Sequence, residues 1–179
     1  MTVTERCEEC GFDYDALALP EAPAALRRFG RRYQAPLTRF LPGEDTGTVV
    51  RAHPLDGVWS ALEYACHVRD VLDVQRERIE VALVEECPTA TPMGREERVI
   101  QDHYNDQDPG VVTDELAANA GTLAALVETL TPAQFERTMR YTYPEWAVRP
   151  VSWVVRHTVH ECEHHLLDIG RVLRSARGR

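Results

Sequence analysis

Four of the seven histidines fall within nine residues, in the stretch Arg156-His157-Thr158-Val159-His160-Glu161-Cys162-Glu163-His164-His165-Leu166-Leu167-Asp168. Neither Pro nor Gly interrupts the run from Val151 to Ile169, which predicts a helix. On a helix His160 and His164 stand one above the other, and His157 shares their face. Two imidazoles at that spacing reach one ion, and zinc, nickel, copper and iron all accept imidazole. The competing reading is a polar helix rim with its histidines in solvent. Four histidines beside carboxylates in so short a run favour a metal.

The same stretch spells H-E-x-x-H as His160-Glu161-Cys162-Glu163-His164. In a zinc protease the Glu is a general base and a third ligand completes the site. The extended protease pattern needs a Gly three residues after the second His and a further His three residues beyond that. Leu167 and Gly170 occupy those places. A third ligand must therefore come from upstream.

The apolar periodicity supplies the elements that would carry it. A first helix is expected from Pro20 to Leu41, with Leu26, Phe29, Tyr33, Leu37 and Phe40 on one stripe and a kink at Pro36. A Gly-, Asp- and Thr-rich connection follows from Gly43 to Gly57. The second helix should run from Trp59 to Glu86, stopped by Cys87-Pro88. Its second face carries Tyr64, His67, Val71 and Val74. A lone His on such a face is more often a core histidine. His67 becomes a ligand candidate because the last helix lacks a third one. A long polar crossover spans Pro88 to Gly110, and such connections are usually functional. The third helix is expected over Val111–Leu130. Thr131-Pro132-Ala133-Gln134 is a capping box, Arg137 to Ala147 reads as a small hairpin or lid, and Pro150 opens a fourth helix ending near Arg174.

Four amphipathic helices with almost no strand predict an all-α four-helix bundle, and bundles build metal sites between facing helices. If helices two and four meet, His67 joins His160 and His164. Residues 1–19 stand apart as an N-terminal segment and residues 20–179 form the bundle domain. The segment holds Cys7-Glu8-Glu9-Cys10-Gly11-Phe12, half of a zinc knuckle. Closure needs two more ligands, with Cys87 and His103 as loose candidates. A pair of tail cysteines without metal is the equal alternative.

With 44% apolar and 27% charged residues, the 179-residue chain has the composition of an ordinary soluble globule. A net charge of −9 argues against nucleic acid and anionic membrane as partners. No apolar run is long enough to span a bilayer, and the start carries no secretory core. Five cysteines, an odd number, fit a reducing compartment, so the expected location is the cytoplasm.

Trp59-Ser60-Ala61-Leu62-Glu63-Tyr64-Ala65-Cys66-His67-Val68-Arg69-Asp70, the His160-x-x-x-His164-His165 run, Tyr104-Asn105-Asp106-Gln107-Asp108-Pro109 and the Cys-x-x-Cys-Gly-Phe start together give a resemblance. Over nearly its whole length the chain resembles the DinB superfamily, also known as YfiT-like metal-dependent hydrolases. The resemblance implies an up-down-down-up bundle with a long crossover between helices two and three. It implies a zinc, nickel or iron ion on a triad that maps onto His67, His160 and His164. It also implies a small thiol such as mycothiol, bacillithiol or glutathione as co-substrate, joined to an electrophile.

A metal with three protein ligands and an open position acidifies a coordinated thiol or water. The expected function is thus a metal-dependent thiol transferase acting on an electrophilic substrate. A hydrolase using metal-bound water and a non-catalytic, metal-stapled stress protein are the alternatives. Glu161 is the candidate catalytic carboxylate, ahead of Glu163. Tyr104, Asn105, Tyr141, Trp146 and His157 are candidates to line a substrate pocket. The small thiol and the electrophile are the expected partners, and a homodimer is compatible with the chain.

Overall fold

The computed structural model describes residues 6–142 and 145–178, apart from the side chain of Thr46. Its helices are α1 (Ala22–Thr38), α2 (Thr46–Arg51), α3 (Ala61–Val84), α4 (Arg95–Gln101), α5 (Pro109–Glu128), α6 (Pro132–Phe135) and α7 (Val151–Ala176). Strands β1 (Thr138–Tyr141) and β2 (Ala147–Pro150) form one antiparallel hairpin, with Thr138 opposite Pro150 and Tyr141 opposite Ala147. The four long helices make the up-down-down-up bundle. In cross-section α1 and α3 are each flanked by α5 and α7.

The apolar stripe of α1 explains its place. Leu26, Phe29, Tyr33 and Leu37 are fully buried, each worth about 1.5–3 kcal/mol. Tyr33 satisfies its hydroxyl by donating to the Cys162 carbonyl of α7 at 2.8 Å. Gly30 lets α1 approach α5: a Cβ there would lie 2.8 Å from the Ala117 Cβ. Pro36 falls in the last turn, and the helix ends at Thr38 instead of kinking on to Leu41.

Local chemistry sets the other boundaries. Ser60 caps α3, accepting from the Glu63 amide at 3.1 Å, while the Glu63 carboxylate accepts from the Ser60 amide at 2.7 Å. Asp108 caps α5 by accepting from Gly110 and Val111, with Pro109 in the first turn. The capping box at Thr131 and Gln134 forms as expected and opens α6. The two long connections are not structureless, since each contains a short helix. They are also tied together: Arg51 donates to the carbonyls of Asn105 and Gln107 at 2.9 and 2.8 Å. The hairpin joins this layer, with Ala90 donating to the Arg140 carbonyl at 2.9 Å and Arg140 to that of Pro88 at 2.8 Å. Among the described residues, no helix is long and apolar enough to cross a membrane.

Candidate metal centre

Helix α7 packs its Thr158, Cys162 and Ile169 stripe into the core. Glu161 and His165 lie on one border of that stripe and face α3. There the donor atoms of His67, Glu161 and His165 come within 4.8 Å of one another. His160 and His164 lie a further step around the helix, away from the core. Their donor atoms gather instead with the sulfurs of Cys7 and Cys10, again within 4.8 Å.

Among the described residues the donor atoms of His67 thus gather with those of Glu161 and His165, whereas the sequence pointed to His160 and His164. Both 160/164 and 161/165 are i, i+4 pairs. Helix packing puts the second pair opposite His67.

The environment of the first group suits a divalent ion. His67 is buried, and its Nδ1 has no hydrogen-bond partner. Burial, reinforced by neighbouring His165, pushes its pKa down to about 3, so the ring is neutral, as a ligand must be. Burial alone would raise Glu161, yet the imidazoles of His160 and His165 beside it, at 3.5 and 3.6 Å, hold it well below the usual carboxylate range. Burial alone would lower His165, but the Asp168 and Glu161 carboxylates push it up to about 9, so an ion binding here must displace a proton from this ring. The His165 Nδ1 lies 3.0 Å from Asp168 Oδ2, while Nε2 faces Glu161 Oε2 at 3.6 Å. A carboxylate on the far nitrogen fixes the ring and tautomer of a metal-binding histidine. Two histidines and one glutamate form a known zinc set that leaves a position open.

His67 and Glu161 sit in the wall of a cavity of about 420 Å³. Val71 and Val74 supply apolar wall, and Arg78 supplies charge. Tyr141 belongs to the same wall and is held by Gln75 Nε2 at 2.6 Å and Arg78 Nη1 at 3.0 Å. His157 also lines the cavity, and its Nδ1 pairs with the Tyr14 hydroxyl at 2.9 Å.

The other candidates lie elsewhere. Tyr104 is fully buried and donates to Asp70 Oδ2 at 2.5 Å. Asn105 bonds the Ser60 hydroxyl at 2.6 Å and the Arg51 carbonyl at 3.0 Å. These two anchor the crossover and are not part of the cavity wall. Trp146 is 67% exposed and stands outside it. Glu163 pairs with Arg32 of α1. From the sequence Glu161 is the candidate catalytic carboxylate, and His165 and Asp168 are not among the expected ligands. The available signal was the second i, i+4 pair, Glu161 and His165, with a carboxylate three residues on.

YfiT from Bacillus subtilis, described as a probable metal-dependent hydrolase with an unusual four-helix bundle topology, has a similar structure. The TM-score is 0.77 at 17% identity, over 97% of this chain and 92% of that one. The mycothiol-dependent maleylpyruvate isomerase superposes with a TM-score of 0.67 at 17% identity, over 88% of this chain and 62% of that longer one. Its H52A mutant gives 0.66. Comparison with curated proteins finds no match. The sequence profile of the DinB superfamily matches residues 20–169, nearly the whole bundle, and the chain belongs to that superfamily.

Proposed function

We propose that the chain is a metal-dependent transferase that joins a small cellular thiol of the mycothiol type to an electrophilic carbon, with His67, Glu161 and His165 as the metal ligands. The observation that carries this reading is the convergence of those three donors beside a cavity of about 420 Å³, room for a small-molecule substrate. When bound there, a divalent ion of the zinc, nickel or iron kind supplies a Lewis acid that acidifies a coordinated thiol or water.

The chain's own groups do the rest. Arg78 offers positive charge to an anionic part of the thiol, and Tyr141 is fixed beside it by Gln75. Val71 and Val74 exclude water from the reacting carbon. In the conjugation the thiol releases its proton to solvent, its sulfur forms the C–S bond, and the leaving group departs with the electron pair of the broken bond. The shared fold of the mycothiol-dependent isomerase supports a thiol as co-substrate. The likeness to YfiT covers more of both chains and favours one second reading, hydrolysis by water at the same open position.

The test loads the purified protein with zinc or nickel and supplies mycothiol, bacillithiol or glutathione with monochlorobimane. Conjugation above the spontaneous rate, abolished by chelator, is expected with at least one thiol. Turnover of an ester or amide panel without any thiol-dependent rate would move the assignment to hydrolase. Silence in both assays would reject catalysis.

Asp168 should act as a positioning residue. Asp168→Asn is expected to weaken zinc binding about 10–100-fold, because it exchanges a carboxylate for an amide at the His165 Nδ1. Competition against a chromophoric chelator measures this. An unchanged affinity would mean that Asp168 does not orient the ligand.

A further inference from the structure

We propose a second metal site, independent of the first: a structural zinc held by Cys7, Cys10, His160 and His164, which staples the N-terminal segment onto α7. The four donor atoms lie within 4.8 Å of one another, and Cys7 Sγ stands 3.5 Å from His164 Nδ1. With zinc–sulfur bonds of about 2.3 Å and zinc–nitrogen bonds of about 2.0–2.1 Å, a tetrahedron needs separations of this order.

The backbone is already shaped for it. Cys7 donates to the Phe12 carbonyl at 2.8 Å, Gly11 donates to the Cys7 carbonyl at 2.9 Å, and Arg6 bridges to Asp13. Gly11 adopts φ +75°, a conformation that glycine takes without strain and that turns the chain back after the second cysteine. Cys7 and Cys10 are not joined in a disulfide. Both ring nitrogens of His160 are buried without a hydrogen-bond partner, an arrangement that is costly unless something else satisfies them.

Each histidine also has a carboxylate on its flank. His160 Nδ1 is 3.5 Å from Glu161 Oε1, and His164 Nε2 is 3.7 Å from Asp168 Oδ2. Four protein ligands leave no open position, which makes the site structural.

The consequence reaches the cavity. The stapled segment lays Phe12 against His160, with ring centroids 5.6 Å apart, and brings the Tyr14 hydroxyl to His157. Tyr14 is also stacked on Trp153 at 6.0 Å. His157 lines the cavity, so the zinc fixes one wall of the proposed active site without entering it.

The test uses the full chain loaded with cobalt(II), and separately with zinc(II). Wild-type protein is expected to bind two ions and to give a thiolate-to-cobalt charge-transfer band. The Cys7→Ser/Cys10→Ser variant should bind one ion fewer and lose the band. His67→Ala should also lose one ion but keep the band, so failure of this site and failure of the first are told apart. A second measurement needs no variant: chelator should expose Cys7 and Cys10 of the wild type to alkylation, while Cys87 reacts alike with and without it. A cobalt-loaded wild type without the band, or Cys7 and Cys10 alkylated equally in both states, would overturn the proposal.

Discussion

Replacing His67 with alanine is expected to remove one equivalent of metal from the chain and to bring thiol conjugation down to the spontaneous rate. His67 is the only one of the three proposed ligands on α3. Its loss leaves Glu161 and His165, two donors on a single helix. The effect should exceed the 10–100-fold typical of a residue that merely orients a ligand. Helix content should hold, because the core of α3 rests on Ala65, Leu72 and Ile79, which the substitution does not touch. His165→Ala should behave alike. His160→Ala provides the contrast: it should cost the metal shared with Cys7 and Cys10 and spare the one beside the cavity. Elemental analysis of the three variants, with conjugation rates alongside, distinguishes the groupings. If His67→Ala kept its full metal complement, the proposed His67–Glu161–His165 site would be wrong. If His67→Ala and His160→Ala lost the same ion, the His67–His160–His164 triad would be restored.

The reason that grouping was hard to read lies in the geometry of α7. A spacing of four residues marks a shared helix face but does not say which neighbour that face meets. The apolar pattern held more information than the histidines. Thr158, Cys162 and Ile169 define the core stripe; Glu161 and His165 border it, and His160 and His164 lie behind it. Residues on that back face would ordinarily point into solvent. They are covered here by the cysteine segment, more than 150 positions away in the chain. No local pattern encodes that contact.

The four long helices were legible because each carries a continuous apolar stripe with Pro, Gly or capping residues at its ends. The observed limits fall within a few residues of those expected. The short helices α2 and α4 were not legible. They span one or two turns, bury little, and owe their existence to tertiary bonds such as those of Arg51 to the crossover. The Tyr104-Asn105 motif stood out in the sequence, but its residues serve the crossover's attachment and not the cavity.

That attachment has the largest expected effect on stability. Asp70→Ala should destabilise the fold by about 3 kcal/mol. The Asp70 carboxylate accepts from the Tyr104 hydroxyl at 2.5 Å, from Arg69 Nε at 2.7 Å and from Arg98 Nη1 at 3.3 Å. Asp70 and Arg69 keep only 12% and 13% of their side chains exposed, so neither is an ordinary surface charge. Burial, then the bond to Asp70, raises the Tyr104 phenol, which therefore stays a protonated donor. Without the carboxylate that buried hydroxyl has lost its acceptor, at a cost of about 1–3 kcal/mol, and Arg69 is left to its bonds with Glu115 and Gln107. Asp70→Asn keeps an acceptor in place and should cost less. Tyr104→Phe removes the donor but keeps the ring and should cost about 1 kcal/mol. Because the two residues share one bond, Asp70→Ala combined with Tyr104→Phe should be less destabilising than the separate losses added together. Urea unfolding of the four variants provides the measurement. A loss below about 1 kcal/mol for Asp70→Ala, the range of an exposed ion pair, would mean that the crossover is held without this cluster.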